Sequence, residues 1–201
     1  MSFAQAPLDE MALTIAGAFR PVNAGRARAR LDLLGQALAR RRLDDPTTRA
    51  QALVETMTAH AGFAVDDRGD AEALMLDRVL TRSTGHPLSL AIVYAAVAKR
   101  AGFDLHVIGA RETFLLGDPE SDPPLAIDPI PGGRVVRDRL WWLCPHMVGL
   151  RLLDEISERY ARHGDLRAAI LAAELRLLLP VDAGLHRHHE LELTKLRAQL
   201  N

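Results

Sequence analysis

The stretch Thr84-Gly85-His86-Pro87-Leu88-Ser89-Leu90, leading into Ala91 to Ala98, constrains this chain more than any other. Proline at position 87 suits the first turn of a helix, where its missing N–H has no intrahelical partner and its fixed φ is already helical. From Leu88 to Ala101 the residues are apolar or small on nearly every face, and charge enters only at Lys99 and Arg100. Such a helix must be buried all round, so the pattern predicts a central helix with other elements packed about it. Lys99 and Arg100 complement the dipole at its C-terminal end, and Gly102 can take a left-handed cap. Three short strands are predicted beyond it, Phe103 to Ile108, Thr113 to Leu116 and Leu125 to Ile127, separated by glycine and proline punctuation. Connections this short favour antiparallel pairing.

The flanks read as helical. Leu8, Met11, Ile15 and Phe19 fall at helical spacing before Pro21, and Ala27, Leu31, Leu34 and Leu38 form a buried stripe within a helix from Arg26 to Arg42. Pro46 opens a third helix to His60, with Leu53 and Met57 inward and Gly62 at its close; Ala71 to Thr81 is a fourth. Val135-Val136 and Leu140-Trp141-Trp142 are expected to wrap back onto the core. From Met147 the stripe Leu150, Leu153, Ile156 and Tyr160 is followed by a turn at His163-Gly164-Asp165 and a second stripe, Leu166, Ile170, Ala173 and Leu177. A last helix turns Leu193, Leu196 and Leu200 inward.

Composition bounds the function. A chain of 201 residues can hold one core and a small appendage, and a formal net charge of −1 gives no reason to expect nucleic acid or an anionic membrane. One cysteine forbids an internal disulfide, and neither a signal peptide nor a membrane span is read, which makes a cytoplasmic protein the default expectation. Arg26, Arg28, Arg30, Arg40, Arg41 and Arg42 spread around their helix without aromatic partners for base stacking, so a solvated face is preferred to a nucleic-acid surface. Asp66 to Asp70 lacks the ligand density of a calcium loop, and His186, His188 and His189 have no complement at zinc-like spacing. No cofactor and no metal is expected.

The order Leu80-x4-Gly85-x-Pro87-Leu88-Ser89-Leu90, Ala98-Lys99-Arg100-Ala101-Gly102, Phe114-Leu115 and Ile127-Asp128-Pro129-x3-Gly133 resembles the bacterial SirB-type family, in which a transglutaminase-like domain is joined to tetratricopeptide-like helices. The resemblance implies a papain-like core with a cysteine heading the central helix, activated by a histidine that an aspartate orients. It maps the cysteine to Pro87, the histidine to Thr113 and the aspartate to Asp128, so only the aspartate is present. Proline is common at the first position in the SirB-type branch, but that branch usually keeps Gly-His-Phe where this chain has Glu112-Thr113-Phe114. The resemblance also places Tyr160, Gly164 and Ala169 at repeat-like positions in the C-terminal helices, which makes Tyr160 and Ala169 candidate binding residues.

Pro87 has no nucleophilic atom and Thr113 no useful base, so no catalytic residue of the implied set remains. The alternative is a relocated set of His86, Ser89 and Asp128. Against it, His86 suits a helix cap, Ser89 can bond back to the preceding turn, and Asp128 can fix the turn after the third strand. Cys144, flanked by apolar residues in a packing seam, is expected to be buried and inert.

The expected fold is therefore α+β: N-terminal helices, a papain-like, transglutaminase-like core whose small antiparallel sheet packs on a central buried helix, and a C-terminal hairpin of tetratricopeptide type. The domain split is 1–145 and 146–201. The expected function is non-catalytic binding of a protein or peptide, with a homo-oligomer as another way to cover the hairpin. A hydrolase or acyltransferase using His86, Ser89 and Asp128 ranks second, and nucleic-acid binding through Arg26 to Arg42 third.

Overall fold

The computed structural model describes residues 7–41, 43–66, 68–110, 113–118, 125–129 and 141–200. Expectations that rest on Arg42, Asp67, Glu112, the prolines at 119, 123 and 124, Pro131 to Gly133, Val135, Val136 and Leu140 lie outside the described residues. Among those described, the chain runs α1 (Leu8–Phe19), α2 (Ala24–Ala39), α3 (Pro46–Glu55), a π turn (Thr56–His60), β1 (Ala64–Val65), a 3-10 turn (Ala71–Leu74), α4 (Leu76–Arg82) and β2 (Thr84–Gly85). It continues through α5 (Pro87–Arg100), β3 (His106–Gly109), β4 (Phe114–Asp118), β5 (Leu125–Ile127), β6 (Trp141–Trp142), α6 (Pro145–Arg162), α7 (Leu166–Arg176) and α8 (Ala183–Leu200).

The fold is α+β and is organised around α5. Every residue from Leu88 to Ala98 is buried, because α1 to α4 pack on the helix from one side and β3 and β4 from the other. Its start and stop follow the sequence. Pro87 is the first helical residue, and Gly102, at φ +93°, closes a cap in which Gly102 N donates to Lys99 O and Phe103 N donates to Ala98 O. That cap claims Phe103, so the first strand of the sheet begins at His106 rather than at Phe103. The sheet has the order β5-β4-β3-β6 and is antiparallel throughout, with Val107 opposite Leu116 and Leu116 opposite Ile127.

Several expectations need correction. The fourth helix is broken at Met75, which is extended (ψ 111°) between the 3-10 turn and α4. Leu74, Met75 and Leu76 are all buried, and three consecutive residues cannot share one face of a continuous helix, so the break is what lets each of them reach the core. Trp141 and Trp142 form an edge strand and are nearly half exposed, and Cys144, expected to be buried, is exposed at the N-cap of α6. Among the described residues β6 pairs only with β3, through two residues. In α7 the buried stripe is Ala169, Ala172, Ala173 and Arg176, because α6 approaches over the alanines and leaves the larger side chains flanking. Leu200 is exposed, leaving Leu193 as the buried leucine of α8. In α1 burial extends beyond the expected stripe to Ala12, Leu13 and Ala16, since the helix lies between α5 and α6.

A parallel two-residue pair, β1 with β2, brings Val65 opposite Gly85 and holds the entry to α5. Glycine is required at 85: a Cβ there would lie 2.7 Å from a Val79 methyl and 3.2 Å from the Ala73 carbonyl oxygen. That carbonyl accepts the His86 N–H at 2.8 Å, so α4, β2 and the head of α5 are locked together.

Candidate functional site

The head of α5 opens on a pocket of about 300 Å³. His86 and Pro87 form its floor, Gly109, Ala110, Thr113 and Phe114 come from the β3–β4 hairpin, and Trp141 stands at the rim. Arg151 and Glu155 of α6 close the far side. The structure thus brings together the two positions at which the resemblance placed a nucleophile and a base, and they hold proline and threonine. The hydroxyl of Thr113 is shielded from solvent and has no hydrogen-bond partner among the described residues. Asp128 follows β5, half-buried and outside the pocket lining, with its charge near the phenol of Tyr94. The phenol's pKa is raised by burial first and by Asp128 second.

His86 is the N-cap of α5: its Nδ1 accepts the Leu88 N–H at 3.3 Å, which fixes the neutral tautomer with hydrogen on Nε2. Its ring meets Phe114 at a centroid distance of 6.4 Å. Burial, and then the charge of Arg159, push its pKa down to about 4. The carboxylate of Glu155, 3.6 Å from Nε2, therefore faces a neutral imidazole at pH 7, and burial raises the pKa of that carboxyl in turn. Ser89 is wholly buried, and its hydroxyl donates to the Leu74 carbonyl at 3.2 Å, not to the preceding turn of its own helix. His86 and Ser89 are thus each committed to a different backbone partner, and an imidazole protonating near pH 4 is a weak base at neutral pH.

The other sequence-derived candidates disperse. Tyr160 stacks on Phe19 at 5.5 Å, and Ala169 is fully buried where its carbonyl accepts the Ser157 hydroxyl at 3.0 Å, so both sit in helix packing. Among the histidines of α8, His186 pairs with Glu190 and His188 with Glu192 one turn on, while His189 is buried. Asp66 caps its own loop through Arg68 N, and Asp70 caps the 3-10 turn through Ala73 N. Among the described residues no group of three or more His, Cys, Asp or Glu is placed to hold a metal, and no helix is long and apolar enough to cross a membrane. Sequence reasoning missed Arg151 and Glu155 as pocket residues. Their only signal was position, one helical turn apart and off the apolar stripe of α6.

A buried helix whose N-terminus faces an antiparallel hairpin across a pocket is the arrangement that the resemblance to a transglutaminase-like core implied. The family model described as the transglutaminase-like superfamily matches residues 25–141, more than half of the chain, and the chain belongs to that family. Two curated relatives, each a UPF0162 protein from Xylella fastidiosa (strains Temecula1 / ATCC 700964 and 9a5c), are 36% identical over 69 residues. The matched stretch covers 34% of this chain and 25% of either relative, so the chain spans only about a quarter of their length. No solved structure gives a significant match.

Proposed function

We propose that this chain is a non-catalytic member of the transglutaminase-like superfamily, of the SirB type, that binds a protein or peptide partner in the cytoplasm. The observation that carries the reading is the pocket itself. It persists at the head of α5 although the positions facing it hold Pro87 and Thr113, which can supply neither a thiolate nor a base. What remains suits recognition. An indole at the rim, the rings of Phe114 and His86 and the Arg151 guanidinium offer apolar, hydrogen-bonding and charged contacts to an extended segment. In this reading the helices from residue 146 onward are a repeat-type hairpin appended to the core, and α6 supplies one wall of the binding site.

A displayed random-peptide library tests this. Peptides selected on the parent protein should bind at least about tenfold more weakly to Ala110→Trp, which fills the pocket, and should keep their affinity for Ser89→Ala, whose hydroxyl is buried elsewhere. Peptides indifferent to Ala110→Trp would place binding off the pocket and overturn the proposal.

A further inference from the structure

A second cavity, of about 490 Å³, lies between the start of α2 and α4 and shares no lining residue with the pocket at α5. Arg20, Arg26, Arg30 and Arg78 converge on it, and Asp77 is the one carboxylate of the lining. Asp77 is taken by Arg20, whose two terminal nitrogens lie 2.6 and 3.1 Å from the same oxygen. The Nε of Arg78 stands 3.5 Å from Glu72, which also serves Arg82, and makes no hydrogen bond. Arg26 and Arg30, one turn apart on α2, have no ion-pair partner among the described residues. Arg28 of the same helix pairs with Glu10 at 2.6 Å, and Arg41, just beyond its end, pairs with Glu55 at 2.7 Å, both away from the cavity. Arg28 and Arg41 thus lie elsewhere with their own carboxylates, while Arg26 and Arg30 meet two guanidiniums from α1's end and α4.

Four guanidiniums about one already engaged carboxylate repel one another unless an anion enters. The buried Nε–H groups of Arg20 and Arg78 also lack acceptors among the described residues. Planar N–H forks of this kind match phosphoryl oxygens bidentately, and the positive end of the α2 dipole adds to the field. We infer that the cavity walled by Arg20, Arg26, Arg30 and Arg78 is a binding site for a phosphorylated small molecule, held through its phosphoryl oxygens. The cavity has the size of a small-ligand site rather than of an extended nucleic-acid track, and no aromatic side chain lines it for base stacking.

The test is calorimetric titration of the full chain with inorganic pyrophosphate and, in parallel, with ADP at the same ionic strength. Saturable one-to-one binding is expected, weakened at least about tenfold by the combined Arg26→Gln and Arg30→Gln changes. Both positions are exposed and unpaired, so the variant keeps its fold, which an unchanged melting temperature verifies. Arg40→Gln removes the same charge from the same helix outside the cavity and should alter affinity less than about twofold. Equal affinity for the two probes assigns recognition to the phosphoryl groups alone, and tighter ADP binding adds a contact to the organic part. The inference is overturned if neither probe saturates, if Arg40→Gln weakens binding as much as the cavity variant, or if a single-stranded oligonucleotide binds more tightly than both probes and depends equally on all three arginines.

Discussion

At Gly109 the backbone of β3 runs directly beneath the Trp141 indole: a Cβ placed there would lie 2.3 Å from Nε1. Gly109→Ala must therefore push the indole off the pocket rim, at a cost of roughly 1–2 kcal/mol for a side chain that is partly solvated already. In a Trp142→Phe background its fluorescence should shift to the red; an unchanged spectrum would mean that the rim is not held by this contact. His86 carries a second residue-scale consequence. Its pKa of about 4 in the folded chain lies below the ordinary imidazole value of about 6.5, so the unfolded chain takes up the proton first as pH falls. Stability from the neutral, capping imidazole is complete above about pH 6.5 and is lost as pH falls from there through 4, by roughly 2 kcal/mol between pH 7 and 5. His189, also lowered by burial, adds in the same direction and Glu155, raised by burial, opposes, so the informative quantity is a difference. His86→Asn keeps a cap acceptor and should flatten the pH dependence of the denaturation midpoint in that window. Equal slopes in parent and variant would refute the assignment. The sequence named His86, Ser89 and Asp128 as a group but could not show how they separate, because the partner of Ser89 is a carbonyl fifteen residues upstream.

At the scale of elements, α5 was legible almost to the residue, and α2 in its buried stripe though not in its bounds, which are Ala24–Ala39 rather than Arg26 to Arg42. An all-round apolar run and a stripe at positions 27, 31, 34 and 38 leave one packing solution each. The break at Met75 was not legible, since the periodicity of Ala71 to Thr81 fits an unbroken helix and only the tertiary demand on three successive side chains overrules it. The end of α4 was equally hidden. Ser83 closes it in the left-handed conformation at φ 57°, a place where glycine has no steric cost. Ser83→Gly should raise stability by about 0.5–1 kcal/mol in chemical denaturation; a loss would show that the serine hydroxyl contributes something the cap geometry does not account for. The C-terminal helices are tied by Arg176, which is buried and reaches Asp154 of α6 at 2.6 Å and Glu192 of α8 at 3.0 Å. Its partners are about one-third exposed, which tempers the penalty of losing a buried ion pair. Arg176→Ala should cost about 1–3 kcal/mol and release α8 first. Hydrogen exchange in α8 that matched the parent's would count against this.

Over the whole molecule one hydrophobic core runs from α1 through α5 and the sheet to Val148, Leu152, Leu153 and Ile156 of α6 and Ala172 of α7. The C-terminal hairpin, expected to cover its apolar face on the core, on the last helix or on a partner, packs on the core through α6, and this is what brings Arg151 and Glu155 to the pocket. Periodicity could reveal the apolar stripe of α6 but not which surface it would meet. The transglutaminase-like core, by contrast, was visible in the order of its short motifs, and the family match over residues 25–141 agrees with it. The proposed loss of acyl-transfer chemistry from a core that has kept its pocket is open to direct test. The most direct measurement is the turnover of amide and amine-incorporation substrates by purified parent protein beside folded Ser89→Ala and His86→Asn. The account predicts no turnover above the uncatalysed rate in any of the three. A parent turnover that either substitution abolishes would contradict it and establish a relocated catalytic set at the head of α5.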